Sequence, residues 1–284
     1  MPSQMYDAHL PSSQALTVND SDMAEYLADP NFPEKVMEAN RAGKISSFQA
    51  LYRQYSRLDF SHDEDRPFAI AGLEARLQRA LNTMGDYGIF DDGNTADGGL
   101  FHRSLLWQRG EEAGDPEFMS PIPFPKNRNI QLPSWSWMGY KGGIDYTDPP
   151  WDSAEWETKE LIAPWTKGNA TLATLATPVP RTSPVAFSAR VRDFDVRGRR
   201  YDEVKLEYDT GKTSLFENQQ PQCVVVAKSK DTKVPNEKRF YVLLVASTRE
   251  VDAEDELIYK RVGAGYMLGK FISLDGKGTA AKII

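Results

Sequence analysis

The chain has 284 residues, enough to bury a sizeable core as one or two domains and too many for a peptide hormone or a disulfide miniprotein. Its 34 basic against 41 acidic residues give a net charge of −7, which argues against the cationic surface that nucleic-acid binding needs. A single cysteine, Cys223, excludes an internal disulfide, and no apolar run is long enough for a transmembrane helix.

Met1 to Leu16 lacks the basic and apolar regions of a secretory signal, so a cytoplasmic location is expected. Residues 1–20 read as a disordered leader, rich in Pro and Ser. Residues 21–99 read as helical. Pro33 suits the first turn of a helix through Glu34, Val36 and Met37, and Gly43 suits its end. Ser46 or Ser47 suits the cap of a second helix, with Phe48, Leu51, Tyr52 and Tyr55 on one face. A third helix is expected to start near Asp65, with Pro67 in its first turn. Ile70, Leu73, Leu77, Leu81 and Met84 form its apolar stripe. Gly72 inside that helix costs about 1 kcal/mol relative to Ala, which close approach of another backbone would offset.

Gly85 to Gly99 reads as a loop, and residues 100–284 read as β-rich. Leu100–Arg109 is expected to be a strand containing Trp107, followed by a Pro-rich excursion over 110–131. Later candidate strands are 157–162, 185–196, 203–208, 222–227, 239–246, 257–262 and 266–273. Gly263-Ala264-Gly265 reads as the turn between the last two. The expected fold is α+β: an N-terminal helical segment packed on an antiparallel β-rich sandwich or barrel, the two sharing one core.

Chemistry-bearing residue types are scattered. His9, His62 and His102 have no metal-ligand spacing, and no metal or cofactor is expected. Cys223 precedes three valines and reads as a buried strand thiol. Asp63-Glu64-Asp65 reads as a capped helix start, with metal ligation or acid–base work as the alternative. Asp145, Asp148 and Asp152 read as solvated loop carboxylates, with a glycosidase pair as the alternative. Arg190, Arg192, Arg197, Arg199 and Arg200 alternate with acidic residues and read as an ion-paired hairpin, with an anion contact as the alternative. No catalytic constellation emerges, so a non-enzyme is expected.

All six tryptophans fall between Trp107 and Trp165. In an extended strand, Trp135 and Trp137 of the run Pro133-Ser134-Trp135-Ser136-Trp137 share one face. That face is either a core lining or an aromatic platform for sugar rings. Trp151, Trp156 and Trp165 follow in a Pro-bounded segment, and the cluster suits a seam between helices and strands.

The same run, followed by Gly142-Gly143-Ile144, resembles the region downstream of the HET (heterokaryon incompatibility) domain of filamentous fungal proteins. Tyr55-Ser56-Arg57-Leu58, Asp65-Arg66 leading to Gly72-Leu73, Leu105-Leu106-Trp107, Tyr241–Val245 and Arg261–Gly265 resemble further stretches of that family in the same order. Tyr87-Gly88-Ile89-Phe90 departs from the family's Tyr-x-x-Gly-Leu-Trp. The HET domain itself is not in the chain, so its activity does not carry over. The resemblance implies a non-catalytic scaffold or interaction module of nonself recognition and incompatibility-linked cell death. Its expected partner is a protein, such as one with a HET domain, with no role for nucleic acid or membrane. The alternative is a carbohydrate-binding β domain. Asp65, Arg66, Gly72, Trp107, Pro133, Ser134, Trp135, Ser136 and Trp137 are the marker residues, all in structural roles.

Overall fold

The computed structural model describes residues 38–93, 99–111, 119–125, 131–165, 185–210 and 220–284. The expected leader over 1–20 and the helix after Pro33 lie outside these residues. The first described helix, α1, is Arg41–Ser56. Asn40 caps it by accepting from the Gly43 amide at 2.8 Å, so Gly43 opens this helix and does not end one. Ser46 and Ser47 are interior; the Ser47 hydroxyl donates to the Gly43 carbonyl at 2.8 Å. Phe48, Leu51 and Tyr52 are buried.

Helix α2, Arg66–Leu81, has Pro67 in its first turn and buries Ile70 and Leu77. Asp65 ends a short 3-10 turn, Asp63–Asp65, and its side chain makes no capping bond, contrary to the expected capped start. Gly72 is exposed, and a β-carbon added there would meet nothing within 4 Å. Among the described residues no neighbouring backbone therefore offsets its helix cost.

The expected loop after α2 is in part a hairpin, β1 (Met84–Asp86) and β2 (Ile89–Asp91), paired antiparallel. Its two-residue turn has Tyr87 at φ 57° and Gly88 at φ 80°, the twist that suits a tight hairpin. Ile89 and Phe90 are buried, which a solvated loop does not require. The expected strand 100–109 is instead helix α3 (Leu100–Leu105) followed by β3 (Trp107–Arg109). All six α3 residues are buried. In the helix His102 and Arg103 each find a partner, as described below.

Short strands follow: β4 (Ser120–Pro121), β5 (Tyr140–Lys141), β6 (Ile144–Tyr146) and β7 (Ala154–Trp156). The main sheet adds β8 (Phe187–Arg192), β9 (Val204–Tyr208), β10 (Gln222–Ser229), β11 (Arg239–Val251), β12 (Leu257–Leu268) and β13 (Thr279–Ile283). Strands β8, β10, β11, β12 and β13 close on themselves as a barrel, with β7 added to β10 and β9 to β12. The fold is thus α+β and mostly β. Strand directions cannot alternate all the way round a closed ring of odd number. The one parallel pair is β12–β13, with Leu257 opposite Ala281.

Strand β12 runs straight through Gly263-Ala264-Gly265, which was expected to turn. A β-carbon on Gly263 would overlap the Glu207 carbonyl, and one on Gly265 the Lys205 carbonyl. These glycines serve close approach to β9. The predicted strand 157–162 shrinks to a bridge between Ile162 and Ser188.

One core takes residues from all five barrel strands and continues through Trp135, Trp137, α3, β2, α2 and α1. A second lies on the opposite face of β10, β11 and β12, around Cys223, Val242 and Met267. Among the described residues no helix is long and apolar enough to cross a membrane. Because Gly72 is helical, exposed and uncrowded, Gly72→Ala is expected to raise unfolding stability by about 0.5–1 kcal/mol, read as a shifted urea midpoint at unchanged slope.

Candidate functional site

Of the marker residues, Trp107, Ser134 and Trp135 meet at one buried junction, and Ser136, Trp137 and Arg66 are linked to it, whereas Gly72 is exposed and takes no part. At its centre Arg261 of β12 pairs with Asp209 just past β9, with Nε to Oδ2 and Nη2 to Oδ1 both at 3.0 Å. Both side chains are essentially inaccessible. Arg261 also donates to the Leu105 and Trp107 carbonyls and lies 3.3 Å over the Trp107 ring. Burial raises the Asp209 carboxyl, with the Arg261 charge opposing it. Trp107 Nε1 donates to the Trp135 carbonyl at 2.8 Å.

Trp135 and Trp137 are both fully buried, but not on a strand. Ser134 and Trp135 form a turn closed by the Ser136 amide on the Pro133 carbonyl at 3.0 Å, and Trp137–Gly139 is a 3-10 turn. The Ser136 hydroxyl accepts from the Met138 amide at 3.2 Å and donates to the Tyr87 carbonyl at 2.8 Å. Serines that bond locally displace ladder hydrogen bonds, which corrects the extended reading. The indoles therefore find different neighbours. Trp135 meets Tyr87, Trp165 and Phe187; Trp137 meets Tyr52 and Tyr55. Neither presents a platform in this fold.

Ser134 fills a gap in the sheet. One edge of β12 pairs with β13 over Leu257–Tyr259 and with β9 over Gly263–Met267. Between them, the Arg261 amide donates to the Ser134 hydroxyl oxygen at 2.8 Å, and the Ser134 amide donates to the Ile284 carbonyl at 3.0 Å. Arg66 performs the corresponding task among the helices. It is buried and donates to the Ser56, Tyr140 and Gly142 carbonyls, with its guanidinium 5.8 Å from the Trp137 ring centroid. Its partners are carbonyls, not the carboxylate that a lone buried arginine suggests. The Tyr55 hydroxyl donates to the Arg66 carbonyl at 2.6 Å, and the Ile144 amide to the Ser56 hydroxyl at 2.9 Å.

Glu74 is a buried carboxyl that sequence reasoning missed. It accepts from the Tyr52 hydroxyl and the Gly88 amide, each at 2.9 Å, and so ties α1, α2 and the hairpin together. Burial, helped by the Asp86 charge, pushes it from 4.5 up to about 8. The available signal was its position: Ile70, Glu74 and Leu77 share the inner face of α2. Arg261 had a similar signal, two residues from Tyr259 on the inward side of a strand.

The remaining candidates are dispersed. Asp145 pairs with Arg53 and Arg57, and Asp148 with Arg103, so these carboxylates serve separate arginines. Asp152 lies in a turn at φ 60°. His102 Nε2 contacts the Glu157 carbonyl at 2.7 Å, and burial lowers its pKa. Burial pushes the Cys223 thiol up to about 12. Arg190 and Arg192 pair with Glu160, Arg197 with Asp195, and Arg200 with Glu203. Arg103 lies between Trp151 and Trp156, at 4.0 and 4.8 Å from their ring centroids. Beside it, Trp156, Glu155, Glu157, Thr158 and Lys228 line a hollow of about 200 Å3.

Arg261→Met strands a buried carboxylate and is expected to cost about 3–5 kcal/mol of unfolding free energy. Replacing both charges, Arg261→Met with Asp209→Leu, is expected to cost less than the single change. Denaturant titration of the two variants reads the difference. Glu74 binds its proton more tightly folded than unfolded, so its stabilisation is complete below about pH 4.5 and declines as pH rises to about 8. Glu74→Gln is expected to flatten this decline, measured as urea midpoints across that range.

No family model, curated protein or solved structure matches this chain.

Proposed function

We propose that this protein is a non-catalytic scaffold or interaction module, equivalent to the C-terminal region of HET-family proteins. It would act in fungal nonself recognition by binding a protein partner. One observation carries the reading. The stretches that bear the resemblance bond to one another: Tyr55 and Ser56 to Arg66 and Ile144, Trp107 to Trp135, and Arg261 to Leu105, Trp107 and Ser134. Such a motif set maintains a framework, and a framework leaves its loops for recognition.

A second reading, a carbohydrate-binding domain, is favoured by Trp156 at the polar hollow beside β7. It takes no support from Trp135 or Trp137, which are buried.

Calorimetric titration of the purified chain against HET-domain proteins of the same organism tests the first reading. Saturable binding to at least one of them is the expected outcome. No binding to any, together with an oligosaccharide-dependent change in tryptophan emission, would replace it with the second.

A further inference from the structure

Strand β9 lies at the end of the main sheet, with β12 on one side and, among the described residues, no strand on the other. The Lys205 and Glu207 carbonyls face β12, where they would overlap β-carbons on Gly265 and Gly263. The Glu203 carbonyl and the Asp209 amide also bond to the β12 side, at Leu268 and Val262. Bonding direction alternates along an antiparallel strand, so the amides and carbonyls of Val204 and Leu206 point away from β12. Among the described residues nothing bonds to them. Barrel closure removes edges, and this added strand restores one.

The same alternation sorts the side chains. Lys205 and Glu207 share one face, where Glu207 pairs with Arg109 at 3.3 Å and Lys205 with Glu111 at 4.0 Å. Val204, Leu206 and Tyr208 share the other, each half-buried at the margin of the second core.

We propose that β9 pairs antiparallel with β9 of a second copy of this chain, about a two-fold axis at Leu206. The run Val204-Lys205-Leu206-Glu207-Tyr208 is complementary to itself in that register. Leu206 faces the partner's Leu206, and the two exchange both outward backbone bonds. Lys205 faces the partner's Glu207, and Val204 the partner's Tyr208, each pair occurring twice by symmetry. Signs then alternate across the shared face, from Arg109 to Glu207, the partner's Lys205 and the partner's Glu111.

Charge selects both the occupant and the register. A lysine on an edge strand keeps like-charged strands away, and here it meets a glutamate. Centring the pair on Lys205 or on Glu207 instead would set like charges opposite each other. A five-residue edge buries little area, so the dimer is weak and exchanges with monomer. Pairing of two copies does not depend on the partner proposed above.

Sedimentation velocity of the full chain from about 1 μM to about 1 mM is expected to show monomer–dimer exchange. Lys205→Glu sets glutamate against glutamate at both pairs, and Glu207→Lys sets lysine against lysine. Each variant alone is expected to dimerise at least about tenfold more weakly. Mixed together, the two variants again face opposite charges and are expected to form the dimer. That recovery is a readout that mere destabilisation of β9 would not give. Leu206→Pro removes an amide that points away from β12 and is expected to abolish the dimer while the β9–β12 ladder persists. A chain that stays monomeric up to about 1 mM would overturn the proposal. So would a dimer that both charge variants leave undiminished, or a variant mixture that remains monomeric.

Discussion

Two charges out of reach of water, Arg261 and Asp209, constrain everything around them. Removing an ion pair from solvent is costly, and the cost is offset only when every remaining donor finds an acceptor. Here the extra acceptors are the Leu105 and Trp107 carbonyls. Leu105 is the last residue of α3, and the final carbonyls of a helix lack intrahelical partners. One guanidinium therefore answers two needs, completing its own bonding and closing the end of α3. The position of α3 against the barrel, and of Trp107 under the guanidinium, follows from that match.

The Trp segment is subject to the same accounting. A strand edge shared by two partners leaves a break, and backbone groups at a buried break must bond to something. Ser134 supplies a small hydroxyl that both gives and accepts. Ser136 does comparable work one turn on, joining the segment to the hairpin through Tyr87. The large aromatic residues fill volume, while the serines between them decide which way each ring points.

Charge is used differently at the surface. The β8–β9 connection keeps its ion pairs at the base and its tyrosine in water, an economy opposite to that of the junction. Between these extremes stands Glu74, buried with two donors and, among the described residues, no cation bonded to it. The stability of the helical part consequently depends on a proton.

Patterns local to a few turns of chain were legible in the sequence. The stripe of Ile70 and Leu77, Pro67 at the start of α2 and the alternation of β8 follow from side-chain period and backbone stiffness alone. So does the α+β character. Leu100–Leu105 was not legible, because a six-residue segment buried on every side, its His102, Arg103 and Ser104 included, has no polar–apolar period to distinguish helix from strand. Gly263-Ala264-Gly265 carries the letters of a turn, yet lies straight because β9 approaches it. The Ser-Trp-Ser-Trp run alternates like a strand, yet turns because its serines bond locally. Composition and period by themselves determined which segments seek the interior. Barrel closure, the pairing of Arg261 with Asp209 and the placement of each tryptophan were decided only in the tertiary structure, since each depends on groups far apart in the chain whose desolvation must be matched in three dimensions.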